Sequence, residues 1–214
     1  RLRYLIGSAD TDRIEHDTGL AMKKIALTDL LSIEEYNAQR PVIRQAMMEH
    51  KKTRRLHLGD NVSMHFEDYM VMRYQMLELI RAEKISGEED LAEELHAYNP
   101  LIPDGKNLKV TFMIEYPNET ERKEKLAQLV GIEETISIQI EGFDAVHPIC
   151  NEDLERSTED KTSAVHFMRF EFSDDMIAAA KAGAKWAVRS EHVNYQAVVD
   201  PVPEEIRTSL VRDF

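Results

Sequence analysis

The chain has one cysteine, Cys150, in 214 residues. A lone thiol closes no disulfide within the chain and builds no cysteine-only metal site. Its setting after Val146-His147-Pro148-Ile149 reads as an apolar strand that packs it away. Cysteine use this sparse fits a reducing compartment, and the sequence predicts a cytoplasmic protein. No stretch approaches the roughly 18 apolar residues of a membrane-spanning helix. Tyr4-Leu5-Ile6-Gly7 is too short for a secretory signal core. Basic charge is also short, with 27 Lys and Arg against 40 Asp and Glu, a formal net charge of -13. Such a surface repels phosphate backbones, which argues against nucleic acid as a general partner. Neither a fixed-period repeat nor a low-complexity tract is present. Motifs of common enzyme classes are missing too: no P-loop, Gly-x-Gly-x-x-Gly, His-Glu-x-x-His, Cys-x-x-Cys or Gly-x-Ser-x-Gly. Their absence weighs against P-loop NTPases, Rossmann dehydrogenases, zincins and α/β-hydrolases.

What remains is a globular composition, 43% hydrophobic and 31% charged. The charge is uneven. Residues 22–55 carry a local +4 and residues 56–214 a local -16. The basic stretch ends in Lys51-Lys52-Thr53-Arg54-Arg55, which reads as cations at the carbonyl end of a helix or as a seat for an anion or acidic partner. Residues 1–21 show no clear period and are expected to form a loosely attached extension upstream of Met22-Lys23-Lys24.

Periodicity predicts helices near 28–39 and 41–55, with Ser32 as a cap and Pro41 as a break. Leu56 to Glu67 alternates around Gly59-Asp60-Asn61, a hairpin signal. Leu56, Leu58, Val62, Met64 and Phe66 fall on its buried face, and His57, Ser63, His65 and Glu67 on the other. Helices are expected over 69–84 and 87–97, then a turn through Asn99-Pro100-Leu101-Ile102-Pro103-Asp104-Gly105. From Leu108 the period becomes two. Strands follow at 108–116, 136–140 (solvent-facing on one side), 164–172, 185–189 and 195–200, with helices at 118–130 and 173–182 and a short one after Pro203. Residues 151–161 read as a loop or short helix. The order predicts an α+β fold: N-terminal helices with a β-hairpin, then a mainly antiparallel sheet packed with helices. The parts are 22–106 and 107–214, packed as one domain.

Candidate chemistry is scattered. Glu93-x-x-His96 occurs once, where a di-iron bundle needs it twice. The polar hairpin face offers His57, His65 and Glu67, donors suited to Fe, Mn or Zn, or simply a solvated ribbon face. On the 164–172 strand, His166 shares a side with Met168 and Phe170, and Arg169 one with Val165, Phe167 and Glu171. Glu115 either pairs with Arg169 or joins His166 in a metal or acid–base site. His192, just before a strand, completes the metal candidates. Arg73, Glu78, Lys161, Arg169 and Tyr195 are the candidates for ligand binding, with turn chemistry and solvated faces as the alternative reading.

Several blocks carry a family resemblance: Val71-Met72-Arg73-Tyr74-Gln75-Met76, Ala97 to Gly105, Met113-Ile114-Glu115-Tyr116-Pro117, Asp160 to Phe170 and His192-Val193-Asn194-Tyr195. From Met22 onward the chain resembles DUF3501, a bacterial family of unknown function. The resemblance implies no activity and carries over no catalytic residue. It implies an association with rubrerythrin-like and iron–sulfur oxidoreductase proteins. Three readings follow: a metal-binding accessory in iron- or peroxide-linked redox physiology, a non-catalytic partner of an oxidoreductase, or a small-molecule enzyme acting on an anionic substrate through Glu115, His166 and Arg169.

Overall fold

A computed structural model describes residues 23–214; the expected N-terminal extension lies outside the described residues. The chain divides into two compact units. Of the described residues, 23–52 and 67–105 with Asp213 form one, and 53–66 and 106–212 with Phe214 form the other.

The first unit is helical. Helix α1 (Ile33–Lys52) starts at a capping box, where Ser32 Oγ accepts from the Glu35 amide at 3.2 Å and Glu35 Oε2 accepts from the Ser32 amide at 3.0 Å. The sequence predicts a break at Pro41, but α1 runs through it. Proline removes one backbone donor, and Pro41 lies on the exposed side. Tyr36 and Met47, buried on either side of it, and the Arg40 ion pair to Glu78 hold the helix together. Packing has overridden local preference here. Helix α2 (Tyr69–Glu83) is capped by Asp68, whose Oδ1 accepts from the Val71 amide at 2.8 Å. Its stripe of Met72, Met76 and Ile80 packs with Met47, Leu95 of α3 (Glu88–Tyr98) and Ile102. Asn99 explains its turn motif: its side chain accepts from Ile25 N at 2.8 Å and donates to Ile25 O at 3.0 Å.

The second unit holds two antiparallel sheets rather than one. The strands are β1 (Arg55–His57), β2 (Val62–Glu67, its last residue grouping with the first unit), β3 (Asn107–Ile114), β4 (Ile136–Ile140), β5 (Ile149–Cys150), β6 (Val165–Glu171), β7 (Trp186–His192) and β8 (Tyr195–Val199). Five form a sheet in the order β1-β2-β3-β6-β5, and three a sheet in the order β4-β7-β8. Helices α4 (Glu119–Gln128), α5 (Asp174–Lys181) and α6 (Glu204–Leu210) accompany them. Residues 151–161 form a loop without a helix. The α+β expectation holds, and Leu56, Leu58, Val62, Met64 and Phe66 of the hairpin are all in the core, although Ser63 and Glu67 of its polar face are buried as well. Strand β4 departs from its solvent-facing reading: Ser137 is buried, and Gln139 is bonded to Phe143 O and Arg189.

The His192-Val193-Asn194-Tyr195 block is a latch. Tyr195 Oη donates to Leu58 O at 2.7 Å and accepts from Asn61 N at 3.2 Å, tying the hairpin turn to β8. Gly59 sits under that hydroxyl with φ +75, and a Cβ there would lie 2.6 Å from Tyr195 Oη. Gly59→Ala meets both a left-handed backbone and a clash. It should lower the unfolding free energy by about 1–3 kcal/mol, read from urea denaturation. A loss below about 0.5 kcal/mol would contradict the latch.

Candidate functional site

The β3–β6 register decides which side chains can meet. Phe112 pairs with His166, Val110 with Met168 and Lys109 with Arg169. Alternation puts Phe112, Ile114, His166 and Met168 on the core face, and Met113, Glu115, Val165 and Arg169 on the opposite one. Glu115 and His166 therefore do not form one site, which corrects the pairing considered from sequence. The Arg169–Glu115 ion pair is likewise replaced. Arg169 holds Glu152 in two bonds of 2.7 and 2.8 Å and also pairs with Glu171.

His166 is fully buried, at 0% exposure. Its Nε2 lies 3.1 Å from Ser163 O, an atom that only accepts, so Nε2 carries the hydrogen. Nδ1 then offers its lone pair to the Asn151 amide at 3.1 Å. Thr162 Oγ1, 2.8 Å from Nε2, donates to Ser157 Oγ at 2.9 Å, and Ser157 donates to Glu133 Oε1 at 2.6 Å. Glu133 stands buried in the 3-10 turn Ile132–Thr135. Burial lowers the His166 pKa, opposed by the Glu133 charge 3.6 Å from Nδ1. Cys150 donates to Glu133 O at 3.5 Å, and burial pushes its thiol up to about 12, which suits packing and not nucleophilic chemistry. The network fastens the 151–162 loop over β6. It was missed from sequence because Glu133 stands in Ile132-Glu133-Glu134-Thr135, which looks like an ordinary solvated turn.

The other face carries a second chain of polar groups. Arg55 is opposite His65, and His57 opposite Ser63. Arg55 Nε donates to His65 Nε2 at 3.1 Å. Ser63 Oγ lies 2.9 Å from the same nitrogen and 2.5 Å from Glu115 Oε2, and Arg55 reaches Glu115 Oε1 at 3.6 Å. Ser63 is wholly buried, whereas the Glu115 side chain is 40% exposed. Glu115 borders an open cleft of about 380 Å³ with Met113, Ile114, Tyr116, Pro117, Arg122, Ala164 and Val165. Ser63 and Arg55 complete this group; hairpin alternation puts Ser63 and His65 on one face, but alternation within a strand carries no information on how β2 lies against β3.

The remaining candidates are dispersed. His57 is exposed on β1, Glu67 is buried at the end of β2, and Lys161 is exposed in the 151–161 loop. His192 Nε2 donates to Val130 O at 3.1 Å while its Nδ1 accepts from Asn194 N at 3.2 Å. With Tyr195 it belongs to the latch. Arg73 Nε donates to Asp29 O at 2.7 Å and supports the 27–29 turn. Glu78 accepts from Tyr36 Oη and holds Arg40 at 2.7 and 2.9 Å; that guanidinium keeps its carboxyl down at about 2. Among the described residues, no three His, Cys, Asp or Glu side chains stand close enough to hold a metal ion. The six metal candidates thus do not assemble a donor set for iron, manganese or zinc.

An α+β chain with these two polar systems defines a fold class and no reaction. A family model described as a protein of unknown function, DUF3501, matches residues 24–214, and the chain belongs to that family. The chain is also similar to a solved structure, a novel protein of unknown function from Burkholderia pseudomallei K96243. Identity is 41% and the TM-score 0.84, over 89% of this chain and 99% of that one. No curated protein matches the chain. No helix among the described residues is long and apolar enough to cross a membrane.

The neutral His166 makes stability depend on pH. The unfolded imidazole titrates near its ordinary 6.5, and the folded one below it, so acid protonates the unfolded chain first. Stability present above about pH 6.5 is lost as the pH falls, by at most about 1.4 kcal/mol per pH unit. His166→Gln should flatten that part of the urea-midpoint profile. An unchanged slope would show that His166 is not the group responsible.

Proposed function

We propose that the second unit binds a small organic acid in the cleft beside Glu115 and moves a proton on it through the Glu115–Ser63–His65 chain. One observation carries this reading: a buried hydroxyl lies within bonding distance of both a carboxylate and an imidazole nitrogen, and that carboxylate borders the cleft. The Ser63 hydroxyl donates to Glu115 Oε2 and lies beside His65 Nε2, whose lone pair it shares with the Arg55 Nε donor. When Glu115 Oε2 carries a proton, it passes it to Ser63 Oγ as Ser63 releases its own to His65 Nε2, the Arg55 Nε bond to that nitrogen giving way. Ser63 itself is sealed from the cleft, so it relays and does not attack. Glu115 is the exposed end and the general acid or base. Arg122, the other charged residue on the cleft wall, spends one Nη1 bond on Tyr116 O at 3.1 Å and presents its remaining donors to a carboxylate. Met113, Pro117 and Val165 offer apolar contact to a short carbon skeleton. This is the anionic-substrate reading of the sequence, moved from His166 and Arg169 to Ser63, His65 and Arg122.

Titration with malate at constant ionic strength, followed by backbone NMR, tests it. Malate should shift the signals of residues 113–117 and 164–165. Arg122→Gln should weaken binding by about tenfold or more, the loss of one charge-assisted contact. Glu115→Gln should retain binding. Malate that leaves the cleft signals unmoved, or binds Arg122→Gln like the parent chain, overturns the proposal.

A further inference from the structure

The open edge of the three-stranded sheet takes no part in either polar system. On the other side of that sheet β4 is covered, since Ile138 exchanges backbone bonds of 2.9 and 2.8 Å with Val146. In the five-stranded sheet both edge strands are short, three residues in β1 and two in β5. Short or covered edges keep strands from pairing with other chains. Strand β8 has neither protection. Its residues Tyr195-Gln196-Ala197-Val198-Val199 pair with β7 without a bulge, from Val188↔Val199 to His192↔Tyr195. They include no charge and no proline. Ser190 Oγ of β7 donates to Tyr195 O at 2.9 Å, so that carbonyl points towards β7. Alternation then turns the N–H and C=O groups of Gln196 and Val198 outward. None of these groups is bonded to another described residue. The Val198 side chain is 59% exposed and Val193, in the preceding turn, 82%.

We propose that β8 is the edge on which a second copy of this chain docks, as an antiparallel strand related by a two-fold axis at Ala197. In that register Gln196 of each copy exchanges backbone bonds with Val198 of the other. On the core-facing side Tyr195, Ala197 and Val199 are half-buried and packed against the core. The axis sets Tyr195 of one copy opposite Val199 of the other and Ala197 opposite its own counterpart. Bulk falls at the ends of the row and the small side chain at its centre. Charge favours the same register. A chain of net charge -13 repels its copies, so contact needs an edge without charge of its own. Beside β8 on the solvent side, Arg189 neighbours Val198 and Glu191 neighbours Gln196. The axis brings Glu191 of one copy into line with Arg189 of the other. Asp200, held by Arg189 at 2.9 Å, falls opposite Asn194 and not opposite a second carboxylate. The inference uses no residue of the cleft and does not rest on the cleft reading.

Sedimentation equilibrium of the full chain tests it, from low to high micromolar concentration and at several concentrations of sodium chloride. A monomer–dimer equilibrium is expected, strengthened by salt because salt screens the net charge. Amide hydrogen exchange at Gln196 and Val198 should slow as the dimer fills. Val198→Pro removes an outward N–H and no bond to β7. Val198→Lys puts an ammonium on each side of the axis. Each variant should keep the circular dichroism of the parent chain and weaken dimerisation at least about tenfold. A chain that stays monomeric at every salt concentration would overturn the proposal and leave the edge to a strand of a different protein. A dimer in which the Gln196 and Val198 amides exchange as freely as in the monomer, or one that both variants leave intact, would overturn it as well.

Discussion

The antiparallel pairing of β3 with β6 is the constraint on which the second unit's chemistry depends. Seven residue pairs from Asn107↔Glu171 to Met113↔Val165 fix which side chains face which way. A slip by one residue would turn His166 out of the core and Arg169 into it. The register is held because one face is buried and mostly apolar: Leu108, Val110, Phe112, Met168 and Phe170 are all essentially inaccessible, with His166 the polar exception. Two polar systems result, backed against opposite faces of one sheet and unable to share a proton.

They differ in physical character. The system at His166 is closed. Its imidazole is neutral, its hydroxyls run in one direction from Nε2 to Glu133, and its work is to seat a charged loop on a core strand. Burying so many polar groups stabilises only when each finds a partner. Glu133 Oε2 and Asn151 Oδ1 stand buried with none among the described residues. The system at Glu115 is open at one end. There a buried hydroxyl bonds a half-exposed carboxylate that borders the cleft. The Tyr195 latch bears on the same region, because the Asn61 it holds donates through Nδ2 to Glu115 O at 3.2 Å and accepts from Glu115 N at 2.7 Å through its carbonyl.

Much of the fold was legible because local chemistry and tertiary structure agree. The Gly59-Asp60-Asn61 turn, the cap at Ser32, and the alternation of β3 and β6 all appear where their residues place them. Pro41 was misleading, since anchors on both sides of it outweigh one lost hydrogen bond. The site was half legible. Alternation gave the faces of the hairpin and of each strand, so Ser63 and His65 fell together correctly. It said nothing of which strands are neighbours, and so linked Glu115 to His166 and Arg169 instead of to Ser63. Glu133 carried no signal, for a carboxylate in a turn reads as solvated until the fold closes over it.

The central claim is that the sheet separates a structural imidazole from a functional one. Long-range nitrogen–proton NMR of the histidine side chains during a malate titration reads both at once. The account requires His166 to remain the neutral Nε2–H tautomer throughout, unmoved by ligand, while the His65 signals shift as malate engages Glu115. A His166 resonance that shifts with malate, or that reports an Nδ1–H or doubly protonated ring at pH 7, would contradict it.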